Sequence, residues 1–160
     1  MSNTDNARNQ ALSQYEGIFD MVERVRHAET CTEPETCDID IKEVTSLLGY
    51  SLQDMDEAEL RELYHDEESA REAIQEDPLS VQVRTGWHTP GDNVKADEYE
   101  ILLCTGGPAV RIIGDLDKYQ EPSSATLEYQ DWSTPWTEYP LNSGQKETLL
   151  DYARSFYFGE

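Results

Sequence analysis

No run of apolar residues in this chain is long enough to cross a bilayer, and the N-terminus, MSNTDNARNQ, lacks a basic-then-apolar leader. The expectation is a cytoplasmic protein with no membrane partner. Basic residues are equally scarce: 12 Lys and Arg stand against 34 Asp and Glu, a net charge of -22. A broad basic surface is therefore excluded, and direct nucleic acid binding with it. Cysteines number three, Cys31, Cys37 and Cys104. An odd count without a leader argues for reduced thiols rather than a disulfide framework. Apolar residues make up 37% of the chain and mean hydropathy is -0.74. That is low for a uniformly packed globule, so a compact part and a thinner polar part are expected.

What is present is enough chain, 160 residues, for one domain with a real core. Residues 8–27 read as an amphipathic helix. Ala11, Tyr15, Ile18, Val22 and Val25 recur at steps of three and four, and Leu12 and Phe19 widen the stripe. That face docks on the rest of the domain or on another copy. AETCTEPETCD then reads as an acidic linker. Asp40 can cap a short helix ending at Gly49, with Glu43 at the capping-box position. Residues 54–77 read as two short helices or one bent one, with Asp56 and Glu59 at capping-box spacing and Pro78 as the stop. Leu60, Leu63, Tyr64, Ala70, Ala73 and Ile74 point inward there.

After Pro78 the period changes to two. Leu79, Val81 and Val83 alternate with polar residues, as in a half-buried strand. YEILLCTGGPAVRIIGDLD reads as two strands around Gly106 and Gly107. ATLEYQDW is a fourth strand, with Ala125, Leu127 and Tyr129 on one face. QKETLLDYARSFYFG closes the chain as a helix. The fold class is α+β: an antiparallel sheet of about four strands, helices on one face, and an acidic helical N-terminal region. A meander needs the fewest long crossings. The organisation expected is a helix over 1–28, a linker over 29–39, an acidic helical segment over 40–77 and a sheet domain over 78–160.

Catalytic motifs are missing. CTGGPAV lacks the Lys-Ser or Lys-Thr of a phosphate loop and leads into a strand, so it reads as a hairpin. His88, near Asp92 in a loop, is the one candidate acid–base residue, and it reads as a loop histidine without a task. Cys104 reads as strand packing and His65 as solvated among carboxylates. His27, Cys31 and Cys37 lie close in sequence and suggest zinc. The set lacks a fourth ligand and matches no common finger or ribbon, so a plain acidic loop is expected, with no metal and no cofactor.

Two features point to binding. Residues 1–78 hold 21 acidic and 6 basic side chains, against 13 and 6 in 79–160. Glu57, Glu59, Glu62, Asp66, Glu67, Glu68, Glu72 and Glu76 are left for solvent in the helical reading. LEYQDWSTPWTEYP interleaves Trp132, Trp136 and Tyr139 with Glu128 and Asp131. Two readings stand for this stretch. The indoles fold over the sheet edge onto the last helix with Trp87, or they form, with their acidic rim, a surface for an Arg- or Lys-rich protein.

The span DPLSVQVRTGWHTPG, ILLCTGGPAVRIIGDLD, LEYQDWSTPWTEY and LLDYARSFYFG, about residues 77–159, resembles a family of small accessory proteins of bacteriophages, prophages and plasmids. No established activity attaches to the resemblance, and no functional residue is carried over. It implies a mobile-element accessory protein. Small acidic proteins of that kind often resemble inhibitors of host defence, of the anti-CRISPR or antirestriction type, including DNA mimics. Duplex DNA carries one charge per roughly 1.7 Å of axis. A helix rises about 1.5 Å per residue, so acidic faces in 54–77 can approach that density. The function expected is a non-catalytic inhibitor occupying a basic site on a host nucleic-acid-handling protein. The alternative is a scaffolding protein, a homodimer through the N-terminal helix, and the third is a small hydrolase-like enzyme using His88.

Overall fold

The computed structural model describes residues 3–159. It is α+β, with five helices and one five-stranded antiparallel sheet. The helices are α1 (Asn3–Thr30), α2 (Ile41–Leu48), α3 (Glu57–Tyr64), α4 (Glu67–Glu76) and α5 (Ser143–Ala153). The strands are β1 (Ser80–Arg84), β2 (Glu98–Cys104), β3 (Ala109–Asp115), β4 (Thr126–Gln130) and β5 (Thr137–Glu138). Strand order follows chain order, the expected meander. The extra strand is β5. Ser133 takes a positive φ of 65°, the chain reverses, and Glu138 and Thr137 pair back onto Glu128 and Tyr129.

Alternation along the central strands makes the core. Ile101 pairs with Ile112, Ile112 with Leu127, and Val110 with Tyr129, all buried on the helix side. Onto this face α1 lays Ala7, Ala11, Tyr15, Ile18, Val22 and Val25. The stripe on α1 thus docks on its own domain. The boundary expected at residue 28 separates elements, not cores. α5 adds Leu149, Tyr152 and Ala153, and α4 adds Ala70 and Ile74. After α5, Phe158 packs at a tilt against Tyr99, their ring centroids 4.9 Å apart. Tyr157, just before it, is exposed.

Local signals set the helix ends. Asp56 accepts from the Glu59 amide and Glu59 returns to the Asp56 amide, a closed capping box. Asn142 and Gln145 do the same for α5. Asp40 caps α2 by accepting from the Lys42 amide, and Gly49 ends it at φ 75°. At β1 the expectation of half-burial fails. Val81 and Val83 pair with Ile101 and Tyr99 and so extend the helix-side face. The helices do not reach that edge, and Leu79, Val81 and Val83 stay exposed.

Helices α2 and α3, in the acidic segment, are thinly anchored. Each buries one side chain, Val44 in α2 and Leu60 in α3. Neither belongs to the main core cluster.

Candidate functional site

The expected partner-binding residues divide into those spent on the fold and those left free. Glu57 pairs with Arg61 at 3.4 Å and Glu67 with Arg71 at 2.9 Å, both one turn apart on a helix. Glu59 is held in the capping box, and Asp66 caps α4 by accepting from the Ser69 amide at 2.9 Å. Glu62 and Glu68 are exposed and, among the described residues, have no ion pair or hydrogen bond, as do Glu72 and Glu76 on the same segment. The free acidic surface is therefore narrower than the sequence suggests, and it runs along the outer sides of α3 and α4.

The aromatic stretch is also split. Arg111 of β3, on the sheet face away from the helices, is held by Glu100 at 2.7 Å and Glu128 at 2.8 Å. Trp136 lies over that guanidinium, 4.1 Å from ring centroid to Cζ. Glu128 is consequently a half-buried internal partner of Arg111. Tyr139 packs edge-on to buried Tyr129, with Arg8 of α1 over its ring at 5.4 Å. Trp132 is 72% exposed and rests on Gly107, whose φ of +92° and missing Cβ leave room for the indole. Asp131 accepts from the Trp132 amide at 2.8 Å. The packing reading needs correcting: Trp136 covers the outer sheet face, and Trp87 is fully exposed rather than joined to it.

His88 is exposed, its Nδ1 donating to the Gly86 carbonyl at 3.2 Å. Cys104 is half-buried, and burial pushes its thiol up from the ordinary range.

The stretch 29–39, expected to be a plain acidic linker, is where the fold brings together what the sequence keeps apart. Cys31 lies just past α1, its amide bonded to the His27 carbonyl at 2.8 Å, so the two side chains share one face. A turn at 33–37, closed by the Cys37 amide on the Glu33 carbonyl at 3.0 Å, returns Cys37 toward them. His65, the C-cap of α3, arrives from the other side. His65 was expected to be solvated; it is half-buried and faces Cys37, its Nε2 3.0 Å from Sγ. The ligand atoms of His27, Cys31, Cys37 and His65 all lie within 4.8 Å of one another. His65 Nδ1 donates to the Arg61 carbonyl at 2.6 Å, which leaves Nε2 with a free lone pair. Arg61 in turn donates to the Cys37 carbonyl at 2.8 Å. Burial and the neighbouring His65 hold the His27 imidazole below its ordinary range. Burial and Cys31 push the Cys37 thiol up, against the opposing pull of Arg61.

Sequence reasoning also missed Arg24. It is buried on α1 and donates to the carbonyls of Leu63 at 2.7 Å and Tyr64 at 3.2 Å, and to Ser69 Oγ at 3.2 Å. It thereby satisfies the last carbonyls of α3. Its one sequence signal was a position between Val22 and Val25.

The chain matches no protein-family model, no curated protein and no solved structure. Among the described residues, no helix is long and apolar enough to cross a membrane.

Proposed function

We propose that the protein is a non-catalytic acidic binding protein that occupies a basic, nucleic-acid-binding site on a host protein. It would act as a mobile-element inhibitor of the anti-CRISPR or antirestriction type. The observation that carries this reading is the unpaired acidic surface of α3 and α4, where Glu62, Glu68, Glu72 and Glu76 stand free in a chain of net charge -22. Carboxylates without internal partners are available to Arg or Lys side chains that otherwise engage phosphate. Mimicry of DNA charge spacing is the form this takes if the carboxylates track the phosphate positions. Exposed Trp132, on the connection between β4 and β5, offers a separate aromatic able to anchor a contact whose approach the charges steer.

The test is a pull-down from the natural host at low and moderate salt, followed by kinetics with the captured protein. Reversal of Glu62, Glu68 and Glu72 to Lys should slow association and flatten its salt dependence while the circular dichroism is unchanged. Glu59 and Glu67 are left alone because they hold helix ends and ion pairs. An unchanged association rate and salt slope would make the surface a merely solvated face.

One observation favours the scaffolding alternative. Leu79, Val81 and Val83 expose an apolar edge at β1, so self-association would run through that edge rather than through α1, whose apolar face is already covered. Sedimentation at moderate salt separates the two readings.

A further inference from the structure

We propose that His27, Cys31, Cys37 and His65 bind one Zn²⁺ as a closed structural site that staples the acidic α2–α3 segment to the end of α1. This goes beyond the binding function proposed above and does not depend on it.

The donor set carries the argument first. Two thiolates and two imidazoles are a tetrahedral S₂N₂ set, the chemistry that selects zinc over hard cations. Zn–S bonds of about 2.3 Å and Zn–N bonds of about 2.0–2.1 Å place tetrahedral ligand atoms about 3.3–3.8 Å apart. Here His27 Nε2 and His65 Nε2 are 3.0 Å apart, and Cys37 Sγ is 3.5 Å from the first and 3.0 Å from the second. These three donors need outward shifts of a few tenths of an ångström to admit the ion, and Cys31 Sγ, within 4.8 Å of each of them, completes the set by closing in on it. Four protein ligands leave no open position for water, which marks a structural rather than a catalytic centre.

The surroundings carry it further. The His65 Nδ1–H bond to the Arg61 carbonyl fixes the tautomer that presents Nε2, as second-shell partners of zinc histidines do. On binding, both thiol protons leave to solvent, and the two thiolates balance the dication.

The fold supplies the reason for such a staple. α2 and α3 bury only Val44 and Leu60, outside the main core. A strongly acidic segment with so little apolar contact needs another tie. The four ligands span the end of α1, the 33–37 turn and the C-cap of α3, so one ion joins all three. Arg24 and Arg61 already lie beside this junction, on the carbonyls of α3 and of the 33–37 turn.

The experiment uses the full chain, stripped of metal under reducing conditions, and titrated with Co²⁺ and then Zn²⁺. The expected result is saturation at one equivalent of Co²⁺, with the intense visible bands of tetrahedral cobalt and a thiolate-to-metal band. One equivalent of Zn²⁺ should abolish both. Cys37→Ser and His65→Ala should each lose that saturation, and Cys104→Ser should keep it. Hydrogen exchange on the unaltered chain removes any dependence on variants that fold poorly. Chelation should speed exchange across 38–65 and leave β2–β4 protected. A wild-type chain without tetrahedral cobalt bands at one equivalent overturns the site, and so does unaltered binding in both ligand variants. Unchanged exchange across 38–65 overturns the staple. A chain that binds zinc but no basic partner leaves the site standing and removes only the proposed function.

Discussion

Arg24 shows how one side chain can hold two helices that share little apolar contact. Its guanidinium ends α3 and touches Ser69 in α4 while its backbone belongs to α1. Hydrogen bonds from a charged donor contribute about 1.5–3 kcal/mol. Arg24→Ala should therefore lower folding stability by about 2–3 kcal/mol, read as a shift of the urea midpoint, and Arg24→Lys should recover only part because a single ammonium lacks the fork. Two tyrosines give a separate residue-scale expectation. Tyr99 donates to the Ser124 carbonyl and Tyr152 to Asp77, both rings buried, and burial raises both phenols above their ordinary range. A raised folded-state pKa holds its stabilisation below the unfolded value, near 10, and loses it as pH climbs beyond. Each tyrosine should cost about 1.4 kcal/mol per pH unit in that region. Urea denaturation between pH 9 and 11 should show the fall, and the Tyr99→Phe, Tyr152→Phe double variant should flatten it.

At the scale of elements, α1 decides whether the sheet can stand alone. It covers the central strands with six buried residues, so a sheet domain cut at 78–160 would lose the lid of its own core. A fragment of residues 77–160 should lack a cooperative thermal transition and near-ultraviolet dichroism, whereas the full chain has both. The elements themselves were legible because local chemistry made them. Asp56 with Glu59 capped a helix, Gly49 ended one, and alternation through 98–104 and 109–115 gave strands of the right face. Less legible was coverage. Val81 and Val83 alternate like Ile101 and Leu103, yet exposure depends on where a distant helix stops. The His/Cys cluster was half visible for the same reason. His27, Cys31 and Cys37 are neighbours in sequence, but His65 joins them only through the packing of α3, and nothing local distinguishes it from a solvated histidine. β5 escaped because two residues carry no periodicity.

For the whole molecule, the charge dominates. With 34 acidic and 12 basic side chains, the folded state repels itself more than an expanded chain does. Raising salt from about 10 mM to 150 mM shortens the Debye length from roughly 30 Å to 8 Å. Thermal stability should rise across that range, while binding to a basic partner should weaken. Stability that is flat or falling in salt would mean the internal ion pairs, such as Arg111 with Glu100 and Glu128, outweigh the repulsion.

The meander has a kinetic consequence. Every strand of the sheet pairs with its neighbour in the chain, so each hairpin closes a short loop at small entropic cost. The α1 contacts are of the opposite kind: they join the first thirty residues to strands some eighty or more positions away. Folding should therefore run from sheet hairpins outward, with α1 arriving late over a partly formed surface. Substitutions on its buried face, at Ile18 or Val22, would then quicken unfolding while leaving the folding rate nearly unchanged. During synthesis the order is inverted, since α1 leaves the ribosome before the strands and waits, its apolar stripe uncovered, for the sheet that will receive it.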